Sequence, residues 1–135
     1  MKRKLFIDTQ ILIWFYQDNP RLKGIIRDMI GSENNDVYVS QASLYEIAMK
    51  RATGRLPEFN LPLDDVIQQV EQNEFRLWSI GNHHLIAYQR IPYHSDHRDP
   101  VDRLLLATAL AEQVAIISAD EKFEKYADII ELIRA

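Results

Sequence analysis

Apolar runs and amphipathic stretches alternate along the whole chain. "KLFID" (4–8), "VYVS" (37–40), "FRLWSI" (75–80), "VAIIS" (114–118) and "IIELI" (129–133) are short and rich in β-branched or aromatic residues, which predicts strands. Helical spacing fills the gaps. Residues 9–16 and 21–31 form a first pair broken at Asn19-Pro20, and 41–53 runs to Gly54. Pro62 opens a helix over 62–73, Asn82 caps another reaching about residue 90, and Asp99-Pro100 starts one that runs to about Glu112. A last helix is expected over 119–126.

Strands that alternate with helices pair in parallel through crossovers. The expected fold class is therefore α/β, a single domain over residues 1–135 with a central parallel sheet of four to five strands and helices on both faces. In such sheets strand C-termini and helix N-termini meet along one edge, and ligands bind there.

Composition narrows the chemistry available at that edge. The chain has 135 residues, 47% hydrophobic and 27% charged, enough for one core. It has no cysteine, which excludes disulfides and thiolate-held metals. Neither a secretion signal nor a bilayer-length apolar run is evident, so a cytoplasmic protein without membrane contact is expected. There is no GxGxxG, GxxxxGK or GxSxG, which argues against nucleotide cofactors and a serine nucleophile. A net charge of −4 means that any polyanion partner must use a local basic patch.

Four acids fall on the predicted edge. Asp8 ends the first strand, Glu46 lies in the second turn after "VYVS", Asp102 lies in the first turn after Pro100, and Asp120 follows "VAIIS". Each has an ordinary explanation: a helix cap at Asp8, an i,i+4 pair of Glu46 with Lys50, and helix-dipole partners at Asp102 and Asp120. Together they do not. Two carboxylates about 6 Å apart repel by roughly 3 kcal/mol at a dielectric of 20, so such a cluster requires protons or cations. Oxygen ligands without cysteine favour Mg²⁺ or Mn²⁺, and a carboxylate-held divalent ion suits phosphoester hydrolysis.

"LFIDTQILIWF", "VYVSQASLYEIAMKRATGRL", "HRDPVDRLLLATALAE" and "IISADEKFEKY" together resemble, in order, the motifs of the PIN-domain ribonucleases, specifically the VapC-type toxins of bacterial toxin–antitoxin modules. Gln10 stands where that family commonly has His, and Val101 where Phe is usual. The resemblance implies an endoribonuclease that hydrolyses RNA with Mg²⁺ or Mn²⁺, dimerises, and is neutralised by a small antitoxin. It lays the family's acidic quartet on Asp8, Glu46, Asp102 and Asp120: Asp8 and Asp102 as direct ligands, Glu46 as ligand or orienting base, and Asp120 as an outer or second-metal ligand. The alternatives are a catalytically silent PIN module and a metal-dependent nuclease acting on DNA or branched structures.

Thr9, Ser43 and Ser118 are candidate hydroxyls supporting these carboxylates, against an ordinary role as caps. Arg103, Lys50, Arg51, Arg55 and Arg98 are candidate phosphate contacts, Arg103 first among them. The aromatic run Trp14, Phe15 and Tyr16 is expected in the core or at a subunit interface. In "HSDHRDPVDR", Asp99 is the expected N-cap and a secondary metal candidate, and Asp96 a loop residue. His94 and His97 lack a third imidazole or a cysteine, so zinc is disfavoured; His97 is expected to brace the loop or touch substrate.

Overall fold

β-Branched and aromatic residues set the strands: β1 (Arg3–Ile7), β2 (Asn35–Ser40), β3 (Arg76–Trp78), β4 (Ala115–Ser118) and β5 (Leu132–Arg134). The protein is seen in a computed structural model that describes residues 2–135. All neighbouring strands pair in parallel, in the order β3-β2-β1-β4-β5. This is the expected α/β class.

Six helices make the crossovers. α1 (Thr9–Gln17) and α2 (Gly24–Gly31) lead from β1 to β2, α3 (Gln41–Ala52) and α4 (Leu63–Gln72) from β2 to β3, and α5 (Asn82–Tyr88) and α6 (Pro100–Glu112) from β3 to β4. Period-2 alternation splits the core between the two faces of the sheet. Leu5, Ile7, Val37, Val39 and Ile117 face Ile11, Leu12, Leu44, Ile47, Val66 and Val70. Phe6, Tyr38 and Ile116 face Val101, Leu105, Leu106, Phe123 and Tyr126.

The strand order reverses direction at β1. The chain builds outward from β1 through β2 to β3, then returns to lay β4 on the other side of β1. The crevice beyond the C-termini of β1 and β4 is thus the switch point where α/β sheets bind ligands. Among the described residues no helix is long and apolar enough to cross a membrane.

Several element boundaries differ from expectation for local reasons. Residues 21–23 form a turn in which the Asn19 side chain accepts from Arg21 N–H (2.9 Å), so α2 starts at Gly24. Asn82 is the first residue of α5, and the capping contact comes from His84, whose Nδ1 accepts the Gly81 N–H (3.0 Å). Residues 121–126 are 3₁₀ rather than α: Asp120 caps Lys122 N–H at 2.9 Å, and Phe123 N–H bonds Asp120 O at 3.1 Å, an i,i+3 ladder.

Candidate active site

Asp8, Glu46, Asp99, Asp102 and Asp120 all line one cavity of about 330 Å³, together with Thr9, Gln10, Ile13, Trp14 and Lys50. The four acids picked from sequence are therefore brought together, and the secondary candidate Asp99 joins them. Oxygens of Glu46, Asp99 and Asp102 lie within 4.8 Å of one another, as do ligand atoms of His97, Asp102 and Asp120. Asp102 is common to both groups.

Local backbone chemistry positions each carboxylate. Asp8 is the N-cap of α1 and accepts Ile11 N–H at 2.9 Å, so a capping role and a place in the cavity coexist. Asp99 caps α6 by accepting Asp102 N–H at 3.0 Å, which fixes the two acids relative to each other. Glu46 is buried although it lies off the apolar arc of α3, a helix that packs against α6 as well as the sheet. Its Oε2 pairs with Lys50 Nζ at 2.9 Å. Its Oε1 is buried with no hydrogen-bond partner among the described residues.

The electrostatic strain is visible in the acids. Burial pushes the Asp8 carboxyl up to about 6; the Ser118 hydroxyl and Ile11 N–H oppose this, and the charges of Asp120 and Glu46 add to it. Asp102 is pushed up to about 8, first by burial and then by the charges of Asp99, Glu46, Asp8 and Asp120. Four like charges raising one carboxyl is the repulsion expected of clustered acids. A buried carboxylate oxygen without a donor is costly unless a cation meets it.

The three candidate hydroxyls divide. Ser118 Oγ accepts Asp120 N–H at 3.1 Å, and its hydroxyl lowers the Asp8 carboxyl pKa, so it stands beside two site acids at the β1–β4 junction. Thr9 Oγ1 donates to Ser43 Oγ at 2.9 Å, and both are buried, joining α1 to α3 beneath the cavity.

The basic candidates need correction. Arg103, first choice as a phosphate contact, is 7% exposed, and its guanidinium donates to Ile91 O (3.1 Å) and Pro92 O (3.0 Å) between the rings of Tyr88 and Tyr93. It braces the segment before α6, having neither the freedom for phosphate nor a pairing with a site carboxylate. Arg51 is likewise spent on Phe59 O (2.9 Å) and the Phe59 ring, and Arg98 Nε donates to Ser95 O at 2.7 Å. Lys50 stands at the carboxylates. Arg55 lines an adjoining groove that shares Gln10, Ile13 and Trp14 with the cavity.

Trp14, Phe15 and Tyr16 all pack against the core, the latter two on Phe75, and Trp14 also forms part of the cavity wall. Asp96 is a loop residue paired with Lys125. His97, buried at 2% exposure, lies with Nε2 3.3 Å from Asp102 Oδ2 and Nδ1 2.8 Å from the Tyr126 hydroxyl. Sequence reasoning left it as a brace or a substrate contact, because a loop histidine has no periodicity to reveal its direction.

A second cluster lies apart from the cavity. His83 Nε2 and His84 Nε2 each lie 2.7 Å from Glu112 Oε2, joining α5 to α6. Because His84 Nδ1 accepts the Gly81 N–H, its proton sits on Nε2 and is donated to Glu112. That nitrogen has no lone pair for a metal, so the cluster is a latch between helices.

A family model described as the PIN domain matches residues 5–129. No curated protein matched the chain by sequence. Among similar solved structures is VapBC2 from Rickettsia felis bound to a DNA fragment from its promoter, with TM-score 0.71, 12% identity, and coverage of 97% of this chain and 98% of that one. DNA-bound VapBC from Salmonella typhimurium has TM-score 0.69, 14% identity and 98% coverage of each chain. A toxin–antitoxin complex from Klebsiella pneumoniae has TM-score 0.60, 13% identity, and 96% and 95% coverage.

Proposed function

The chain belongs to the PIN-domain family, and from that premise we propose that it is a Mg²⁺- or Mn²⁺-dependent endoribonuclease, the toxin of a toxin–antitoxin pair acting in the cytoplasm. The observation that carries the reading is Glu46 Oε1, a buried carboxylate oxygen without a partner, in a cavity lined by five carboxylates. The donors fit a hard divalent cation: they are oxygens, and the one adjacent imidazole nitrogen, His97 Nε2, is turned to Asp102. Asp8, Glu46, Asp102 and Asp120, with Asp99 beside them, are the residues that would hold it. Bound there, such an ion lowers the pKa of a water and offsets charge developing on the phosphate.

The chain's own groups do the rest. Glu46 would orient the attacking water by accepting a hydrogen bond from it. Lys50 balances the charge of Glu46 and offers its remaining N–H donors to the phosphate. Ser118 fixes the turn at Asp120 by accepting its N–H. Trp14 and Arg55, along the adjoining groove, provide a ring face and a cation for the strand on one side of the cleaved bond. The toxin–antitoxin complex among the similar folds supports a small protein partner, and the resemblance supports a homodimer.

The test is cleavage of RNA and of single-stranded DNA by the purified protein, with Mg²⁺, Mn²⁺ or a chelator. RNA is expected to be cut only with the cation, and Asp8→Asn and Asp102→Asn are expected to lose turnover by orders of magnitude while staying folded. Wild-type turnover in both variants sinks the assignment. Cleavage of DNA alone favours the DNA-nuclease reading, and no cleavage at all favours the silent module.

A further inference from the structure

The "HSDH" loop ends on a buried imidazole that the proposed chemistry has not used. His97 is turned inward by a tight turn, its N–H bonding His94 O at 3.0 Å. Its ring packs beside Phe123 and Tyr126. Nδ1 meets the hydroxyl of Tyr126, which is 0% exposed, and Nε2 meets Asp102.

The direction of the protons follows from burial. The Tyr126 hydroxyl lies 2.8 Å from His97 Nδ1, and the buried O–H is satisfied when it donates to that nitrogen. His97 then carries its hydrogen on Nε2 and donates it to Asp102 Oδ2. The reverse arrangement puts a proton on Nδ1 and leaves the buried Tyr126 O–H without an acceptor, which costs the desolvation of that group.

We propose that His97, locked as the Nε2–H tautomer by Tyr126, is the positioning residue that holds Asp102 Oδ2 and so presents the other oxygen of Asp102 to the divalent cation. The proposal rests on the metal-nuclease reading of the cavity. Imidazole–carboxylate support of a ligand is worth about 10–100-fold in metal affinity.

The test uses Mn²⁺ as the probe, on the full chain and without RNA. Calorimetric titration compares wild type with His97→Ala, His97→Gln and Tyr126→Phe, each checked for folding by circular dichroism. His97→Ala is expected to weaken Mn²⁺ by about 10–100-fold. His97→Gln, whose amide N–H reaches the place of Nε2–H, is expected to recover part of that loss. Tyr126→Phe, which keeps the ring and removes the lock, is expected to weaken Mn²⁺ in the same direction. If His97→Ala does not fold, Tyr126→Phe together with the imidazole ¹⁵N spectrum of the wild-type protein decides. That spectrum is expected to show a protonated Nε2 and a bare Nδ1.

Unchanged Mn²⁺ affinity in the folded His97→Ala or Tyr126→Phe protein overturns the proposal, as does a protonated Nδ1. A direct Mn²⁺–nitrogen coupling in the electron spin resonance of the wild type overturns it in favour of His97 as a ligand. A wild-type protein that binds no Mn²⁺ overturns this proposal together with the metal-nuclease reading. Mn²⁺ binding that depends on His97 without any RNA cleavage upholds the positioning role and overturns only the ribonuclease reading.

Discussion

At the scale of single residues, the cavity holds more negative charge than the fold alone supports. Asp8 and Asp102 have pKa values raised to about 6 and about 8, against an ordinary 3.8. An acid whose pKa is higher in the folded than in the unfolded chain favours folding while protonated. That contribution is fully present below the unfolded value and is lost as pH rises through the folded ones. The Tm of the metal-free protein is therefore expected to fall between about pH 4 and about pH 8, and added Mn²⁺ to restore it at the alkaline end. Asp8→Asn, which keeps a capping side chain, should flatten part of the fall and gain about 1–3 kcal/mol near neutral pH without metal. A Tm that is constant or rises across this window in the metal-free protein contradicts the clustering of charge.

At the scale of elements, four of the site acids sit where helices begin. Asp8 caps α1, Asp99 caps α6, Asp102 lies in the first turn of α6, and Asp120 caps the 3₁₀ segment. The same positions satisfy helix N–H groups and bring carboxylates to the cleft, so a capping role and a place in the cavity coexist. Asp99 separates the two contributions. Asp99→Ala is expected to lose about 1 kcal/mol of stability through the missing cap, and Asp99→Asn much less. Both remove a charge from beside Glu46 and Asp102, so both should weaken Mn²⁺. Thermal melts paired with Mn²⁺ titrations check this, and wild-type Mn²⁺ affinity in Asp99→Asn rules Asp99 out of the site. Strand and helix order was legible in periodicity, and most ends were off by only a few residues. The 3₁₀ segment was missed because its backbone closes i,i+3 rather than i,i+4 bonds, a difference that leaves no mark on the apolar spacing of so short a run.

At the scale of the whole molecule, a net charge of −4 confines any RNA contact to the few cations near the cleft. Lys50 and Arg55 are placed there, while Arg103 and Arg51 are held inside the fold. RNA binding is thus expected to depend weakly on salt, with a small log–log slope. Arg55→Ala should lower that slope by about 0.7, one single-strand phosphate contact, while Arg103→Gln lowers Tm and leaves the slope alone. Filter binding across a salt series distinguishes them, and a slope lowered by Arg103→Gln would return that residue to the RNA interface.

The linear sequence determined the α/β class, the order of elements and the four acids, because periodicity and strand-end position are local properties that survive without a third dimension. It also marked Asp99 as a cap, since Asp-Pro before an apolar run has one common use. Only the tertiary structure decided the directions of long or loop-borne side chains. Arg103 reads as a cation next to a candidate ligand, yet two tyrosines and two carbonyls from the segment before α6 claim it. His97 reads as a loop histidine, yet Tyr126, brought across by the 3₁₀ segment, meets its Nδ1 while Nε2 faces Asp102. Those partners lie beyond the reach of helix or strand spacing, and only packing makes them neighbours.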